Sequence, residues 1–530
     1  MKRKLLYALL LTAGTMSSVS AQTDEQMLAR IREEGMLKSQ VMATALQFTD
    51  VAGPRLANSP GLKRAQDWAV NELKTWGAVN AKREPWGKFG KGWEIQKNYV
   101  AITAPYYHNI IAIPKAWTPG TNGLVKGDVV LLKVDSLPDL AKYQGKLKGK
   151  IVMMDVKGTG GQTYRADASR YTDSALTAMG NATLAPAGGG QRRGGPGARG
   201  NMAAAAALRQ ALPKFYLAEG VSLVLSQARG TDGTVFTSNG ASYADTAKAV
   251  APEIETSTED YQRILRLSKA GVKVGLEADI KTEFFTNDLQ GYNVVGELPG
   301  TDPKLKDQLV IIGGHLDSWH AATGATDNAA GCAVMMEAMR ILKRVGFKPR
   351  RTIRIVLWSS EEQGIHGSHN YVLNHFGDAK TMVLKPEHAK VSAYYNLDNG
   401  TGKIRGIYLQ GNAAAGDLFK SWFAPFKDLG ATTVTISNTG GTDHLSFDAV
   451  GIPGFQFIQD GMDYNTRTHH TNQDTYDKLS EDDLKQASTI VASLVYNTSQ
   501  RDEMLPRKPL PVAQPQKLNN KSPGHGALIV

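Results

Sequence analysis

The sequence predicts an α/β fold with a largely parallel core sheet and a second, β-rich domain inserted into it. Three observations carry this. From about residue 292, "LVIIGG", "TIRIVLWSS", "VSAYYNLD" and "GIPGFQFI" are short apolar runs of the fully buried strand type. Helical patterns lie between them; after Asp327, Val334, Ala338, Ile341 and Val345 make one apolar stripe. Strands alternating with helices give parallel pairing, because each crossover needs a helix packed on the sheet. Residues from about 119 to 285 differ in character: strand-like "DVVLLKV", "GKIVMMD" and "VSLVLS" surround a Gly/Ala-rich tract from about 184 to 207. We read this span as an inserted domain with a disordered loop.

The chain opens with a leader. Lys2, Arg3 and Lys4 are followed by apolar Leu5 to Leu11, and Val19-Ser20-Ala21 offers a cleavage site. This order is that of a secretory signal removed after about Ala21. The apolar run is far short of the ~20 residues a membrane span needs, and no other segment is long enough. No Cys follows the run, which disfavours a lipid anchor. Residues 23 to 46 read as a helix, with Leu28, Ile31 and Val41 among its apolar positions. In "GPRLANSPGLKRAQDWAVNELKTWGA", Ser59 is a good N-cap and Pro60 a good first helical residue. Leu62, Ala65, Ala69, Leu73 and Trp76 then mark one helix face, and Gly77 is placed to end it. The expected organisation is a signal peptide (1–21), a first part of the main domain (22–118), the insert (119–285), the second part of the main domain (286–500) and a tail (501–530).

With 530 residues, 42% hydrophobic and 21% charged, the chain is an ordinary globular one with room for two or three domains. Its formal charge is +11, of which three positive charges belong to the leader. That is mild for the length, and no basic stripe is studded with aromatics, so nucleic-acid binding is not expected. The tight "GGGQRRGGPGARG" at 188–200 reads as a loop tip. Cys332 is the only cysteine. The chain therefore has no internal disulfide, and Cys332 reads as a small core residue on a helix.

Chemistry gathers at the strand ends. "GGHLDSWHAATGATDN" puts His315, Asp317 and Asp327 after one apolar run, and "WSSEEQG" puts Glu361 and Glu362 after the next. "NLDNG" supplies Asp398, and "NTRTHHTNQDT" supplies His469 and His470 after "GIPGFQFI". Sites in open α/β sheets form beyond the carboxyl ends of the strands, where these residues fall. Imidazole with carboxylate suits Zn²⁺, with Co²⁺ or Mn²⁺ as substitutes. Two histidines and three carboxylates serve two metals if one carboxylate bridges, at centres roughly 3.5–4 Å apart. A further carboxylate, free of metal, would move protons.

Taken together, "GGHLDSW…GATDN", "VLWSSEEQG", "NLDNG", "TDHLSF…GIPGF" and "HTNQDT" resemble the zinc exopeptidase family of secreted bacterial aminopeptidases and plasma glutamate carboxypeptidase. "GGHLDSW", "VLWSSEEQG" and "EMLPR" are particularly similar to the plasma glutamate carboxypeptidase branch. The resemblance covers about 292 to 500 and, more loosely, "GPRLANSPG". It implies a mixed, largely parallel sheet flanked by helices, of the zinc aminopeptidase/phosphorylase-like type. It also implies roles: Asp327 bridging two zinc ions, His315 and Asp398 completing one site, Glu362 and His470 the other. Glu361 would be the general base and Asp317 would orient His315 or its surroundings. The H-T-x-x-D-T pattern selects His470 over His469, and Asp474 would stand behind His470 or cap a turn. His320, His366 and His369 read as loop or packing residues; His444 would either line the cleft or not. The insert loosely resembles a protease-associated domain, through "LKGKIVMMD" and "AEGVSLVLS".

One feature departs from the family. A Tyr that many of these aminopeptidases carry before the [ST]-D-H motif is missing from "SNTGGTDH", so the oxyanion donor is open. The expected activity is hydrolysis of terminal peptide bonds of peptides, with aminopeptidase action first. A dipeptidase or glutamate-type carboxypeptidase, a one-zinc glutaminyl-peptide cyclase, and a non-catalytic binding protein on a peptidase scaffold are the alternatives. The oligomeric state has no signature in the sequence.

Overall fold

A computed structural model of the chain describes residues 24–156, 164–184 and 196–513. The leader, the tip 188–195 and the tail beyond 513 lie outside the described residues. Two eight-stranded sheets organise the rest. The first runs Val79–Lys88, Gln290–Leu298, Thr352–Trp358, Leu309–His315, Val391–Asn396, Gly454–Gln459, Ile404–Tyr408, Thr433–Thr435. Its four central strands, from Thr352–Trp358 to Gly454–Gln459, are parallel. Their flanking neighbours, Gln290–Leu298 and Ile404–Tyr408, pair antiparallel. The sheet is thus mixed with a parallel centre, as expected.

Side chains alternate across a strand, and here both sets are apolar. Ile311, Val356, Trp358 and Tyr394 pack with Tyr371 and Phe447 on one face. Val310, Ile312, Ile355, Leu357 and Tyr395 join the larger core on the other. Helices therefore cover both faces. The helix Ala330–Arg344 is buried through Leu342 on every side, not along one stripe. It is packed against helices Val41–Leu46 and Glu481–Gln500 as well as against the sheet. Its two buried charges are paired: Arg340 lies 2.7 Å from Glu337 and 2.7 Å from Glu34.

Ser59 caps the helix Pro60–Thr75 by accepting the Leu62 N–H, and Gly77 follows at φ +80°. The helix expected over 23–46 is instead two pieces, 24–37 and Val41–Leu46. At the break, the Ser39 hydroxyl and the Gln40 N–H both turn to the buried Glu337 carboxylate at 2.9 Å.

The second sheet runs His108–Asn109, Gly92–Ala104, Gly275–Phe285, Val125–Leu132, Ile151–Met154, Leu223–Gln227, Glu253–Thr256, Ala112–Pro114. The three strand-like pieces read from the sequence are strands within it. The sheet also takes in residues 92–114, before the boundary expected at 119. The cause is the long antiparallel pairing of Gly92–Ala104 with Gly275–Phe285, which joins the entry and exit of the span. It is not purely β either, since helix Thr258–Lys269 packs on it. The Gly/Ala-rich tract corrects another expectation. From Pro196 onward it is the first part of a helix reaching Glu219, not a disordered loop. Ala203 to Ala207 carry the strongest intrinsic helix preference, which outweighs the glycines before them.

Candidate metal centre

The sequence-predicted residues converge at the carboxyl ends of the central strands. His315 ends the strand Leu309–His315. Asp327 lies just before helix Ala330–Arg344, whose Gly331 sits where a Cβ would be 2.2 Å from the Leu397 carbonyl. Only glycine allows that approach, which draws the Asp327 and Asp398 segments together. Asn328 links the same segments by donating to Leu397 O at 2.8 Å. Ser360, at φ 59°, turns the chain after Trp358 so that Glu361 and Glu362 leave the strand geometry.

His315 Nε2 stands 3.2 Å from Asp398 Oδ1 and 3.3 Å from Asp327 Oδ1. His470 Nε2 stands 3.3 Å from Asp327 Oδ2 and 2.8 Å from Glu362 Oε2. His469 Nε2 is 3.9 Å from Asp327 Oδ2, with its ring 3.7 Å from that of His470. The donor atoms of His315, Asp327 and Glu362 all lie within 4.8 Å of one another, as do those of Asp327, His469 and His470. Asp327 is common to both groups. The first group contains both His315 and Glu362, but the shortest contacts pair His315 with Asp398 and Glu362 with His470.

The donor set fits a divalent metal. Asp327 Oδ2 and Glu362 Oε1 are buried and accept no hydrogen bond. Buried polar atoms are almost always paired, so two such carboxylate oxygens side by side suit ligation of a cation. The titration pattern agrees. Burial pushes the Glu361 and Glu362 carboxyls well above their ordinary range, with Asp398 adding to the first and Asp327 to the second. Burial acts on Asp327 in the same sense, but His315, His470 and His469 overcome it and hold that carboxyl far down. Burial lowers the His315 imidazole, yet Asp398 and Glu361 outweigh it and raise it. Crowded carboxylates raise one another's affinity for a proton, and a divalent cation would relieve that repulsion.

Asp317 does more than its sequence position implied. It is fully buried, 3.8 Å from His315 Nδ1, and accepts the N–H groups of Glu361 at 3.2 Å and Glu362 at 3.3 Å. It therefore fixes the glutamate turn, while His315 Nδ1 donates to the Asp317 carbonyl at 3.0 Å. Asp474 does not stand behind His470. Its carboxylate accepts Thr326 N at 2.7 Å and Asp327 N at 3.0 Å, so it holds the Asp327 segment. His444 is buried against Thr439 O at 3.2 Å. His320 bonds Pro114 O at 2.7 Å and His366 meets the Tyr243 hydroxyl at 3.0 Å; both are packing residues. Cys332 is buried, donates to His315 O at 3.0 Å, and has its thiol pushed up to about 12 by burial.

Sequence reasoning missed Arg55 and Tyr464. Tyr464 is buried with its ring 4.7 Å from His469, and burial, with Asp327, Asp398 and Glu362 nearby, keeps its hydroxyl protonated. "DYNTRTHH" placed a Tyr near the histidines, but spacing alone gave it no direction. Arg55 is fully buried. It donates to Leu316 O at 2.6 Å, Phe48 O at 2.6 Å, Thr323 O at 2.5 Å and Gly324 O at 2.8 Å. These bonds clamp the loop between His315 and Asp327. Arg55→Met should cost about 3–5 kcal/mol, because buried carbonyls lose their donor. Urea unfolding of the metal-free protein checks this; a loss under about 1 kcal/mol would mean the carbonyls find other partners.

Residues 293–495 match the model described as Peptidase family M28. This segment is an M28 peptidase domain. Over 461 residues the chain is 25% identical to Carboxypeptidase Q of Mus musculus, covering 87% of this chain and 86% of that protein. It is 28% identical to aminopeptidase YwaD of Bacillus subtilis (strain 168) over 233 residues, 43% of this chain and 49% of that one. The crystal structure of a Peptidase M28 precursor from Shewanella amazonensis SB2B shares the fold, with TM-score 0.64 and 24% identity over 93% of this chain and 99% of that one. Among the described residues, no helix is long and apolar enough to cross a membrane.

Proposed function

We propose that the chain is an exported two-zinc exopeptidase that removes N-terminal residues from peptides. The observation that carries the two-metal reading is the division of Asp327: Oδ1 faces His315 and Oδ2 faces His470, each at 3.3 Å. In this reading Asp327 would be shared by both ions, His315 and Asp398 would hold one zinc, and Glu362 and His470 would hold the other. The closer approach of His470 supports its selection over His469. When bound, zinc would supply Lewis acidity that acidifies a water and polarises the scissile carbonyl.

The chain's own residues do the rest. Glu361 accepts a proton from the attacking water as the new C–O bond forms. It then returns that proton to the departing amine as the C–N bond breaks. Asp317 keeps Glu361 and Glu362 in place through their N–H groups. The second sheet, read as a protease-associated-like domain, borders the loop of His470 and shapes access to the site. The intact base and ligand set weigh against a one-zinc cyclase and against a non-catalytic binding protein.

A second reading has its own support. The similarity that spans most of the chain is to Carboxypeptidase Q, whereas the aminopeptidase similarity spans less than half. Cleavage of a C-terminal residue or of dipeptides is therefore the rival. One experiment separates them: peptides with free, N-acetylated and C-amidated ends, assayed alongside zinc titration of the stripped protein. Loss of activity on N-acetylation and saturation at two zinc ions are expected. Loss on C-amidation instead would make the enzyme a carboxypeptidase, and saturation at one zinc would sink the two-metal mechanism. The intact mass of the same native preparation should begin near Gln22; a retained Met1 would refute export by a cleaved leader.

A further inference from the structure

The loop that carries His470 has little regular structure of its own. Between the strand end at Gln459 and the helix at Glu481, its longest helical turn is Tyr464–Thr468. Yet His470 sits at φ 62°, a left-handed conformation that residues other than glycine seldom adopt. Such a conformation persists only where the surroundings determine it. The M28 domain supplies part of that hold, with Thr326 donating to Thr468 at 2.8 Å and Arg405 pairing with Asp460 at 3.1 Å, while Lys478 and Asp463 pair within the loop at 2.7 Å.

Two segments of the span 119–285 supply the remainder, from opposite ends of the loop. At one end, Ser169 and Met462 exchange both backbone hydrogen bonds, at 3.0 and 2.8 Å. The buried Asp460 accepts Arg170 Nη1 at 3.0 Å and Tyr171 N at 2.9 Å. Thr466 donates to Asp167 O at 2.8 Å. At the other end, Thr237 N donates to the carbonyl of His470 itself at 2.8 Å. Asn472 N donates to Val235 O at 3.1 Å, and the Asn472 side chain accepts Val235 N at 2.8 Å. Arg467 reaches both segments. It donates to Thr231 O at 2.7 Å and Thr234 Oγ1 at 2.8 Å, and pairs with Asp167 at 2.8 Å and Asp232 at 2.7 Å.

We propose that segments 167–171 and 231–238 act as a splint for the histidine loop, and that Arg467 is a positioning residue that sets where the His470 imidazole stands. The bonds run to backbone atoms on both sides of His470, so a shift of either segment moves the imidazole relative to Asp327 and Glu362. The M28 domain would then need these two segments of the inserted span to complete one half of its metal centre. This rests on His470 being a zinc ligand, as proposed above.

Arg467→Met keeps the side-chain stem and removes every hydrogen bond of the guanidinium. In the full chain it should weaken one zinc about 10–100-fold, the range found when partners behind a ligand are lost, and leave the other near its original affinity. The readouts are zinc competition against a chromogenic chelator and the visible spectrum of the cobalt-loaded protein, which reports ligand geometry. Arg467→Lys, which keeps one ion pair, should restore part of both. Asp167→Asn with Asp232→Asn alters only the insert, at partly exposed positions, and should shift both readouts in the same direction. That double variant decides the matter if Arg467→Met fails to fold. Amide exchange over 464–475, measured without metal, should rise in each variant. It tests the splint even if the zinc reading fails. Unchanged exchange, zinc affinity and cobalt spectrum in the variants would overturn the proposal.

Discussion

Glu361→Gln should lower kcat by about 10²–10⁴-fold at full zinc occupancy, equivalent to about 3–5 kcal/mol of barrier. Gln keeps the size of the side chain and its N–H bond to Asp317, but it has no site that can take up the proton of the attacking water. Glu361 is half-buried, and desolvation together with Asp398 and Asp443 raises the affinity of its carboxyl for a proton. A group of that kind suits a base that must hold a proton briefly and release it. Glu362→Gln provides the contrast. Glu362 Oε2 faces His470 at 2.8 Å, so its loss should weaken zinc binding as well as turnover. Metal analysis beside steady-state kinetics separates the two. If Glu361→Gln retained most of its kcat with both zinc ions bound, the base would have to be another group.

Asp327→Asn should reduce zinc stoichiometry from two to one and remove activity with it. The side chain is nearly isosteric, and the backbone around it has a separate anchor. Asp474 holds the backbone of this segment through the Thr326 and Asp327 N–H groups. What changes is the second oxygen. The carboxylate presents one oxygen to His315 and the other to His470, while an amide has a single good donor and an N–H₂ group that repels a cation. Only one side can then be served. Titration of the stripped variant with zinc, followed by elemental analysis, checks this. Two zinc ions bound with unaltered affinity would remove Asp327 from the bridging position and end the two-metal reading.

The sequence by itself carried the parallel core and most of the constellation. The apolar runs around Ile311, Ile355 and Tyr394 are continuous because both faces of the sheet are covered, and such runs are visible without coordinates. Titratable residues directly after them fall at strand ends, so His315, Glu361, Glu362 and Asp398 could be marked as candidates from order alone. Local chemistry also sufficed for the Ser59 cap and for Cys332 as a core residue. The tertiary structure decided what lies across long separations. Arg55 reaches Leu316 and Gly324, Asp474 serves Asp327 rather than His470, and segments 167–171 and 231–238 grip the histidine loop. It also decided that helix Ala330–Arg344 is enclosed on every side and that the helix at 23–46 breaks where Glu337 claims its donors. Periodicity reports which face of an element is apolar, because that pattern repeats every two or 3.6 residues. A hydrogen bond between residues hundreds of positions apart leaves no such repeat, so its partner is set only when the sheets have packed.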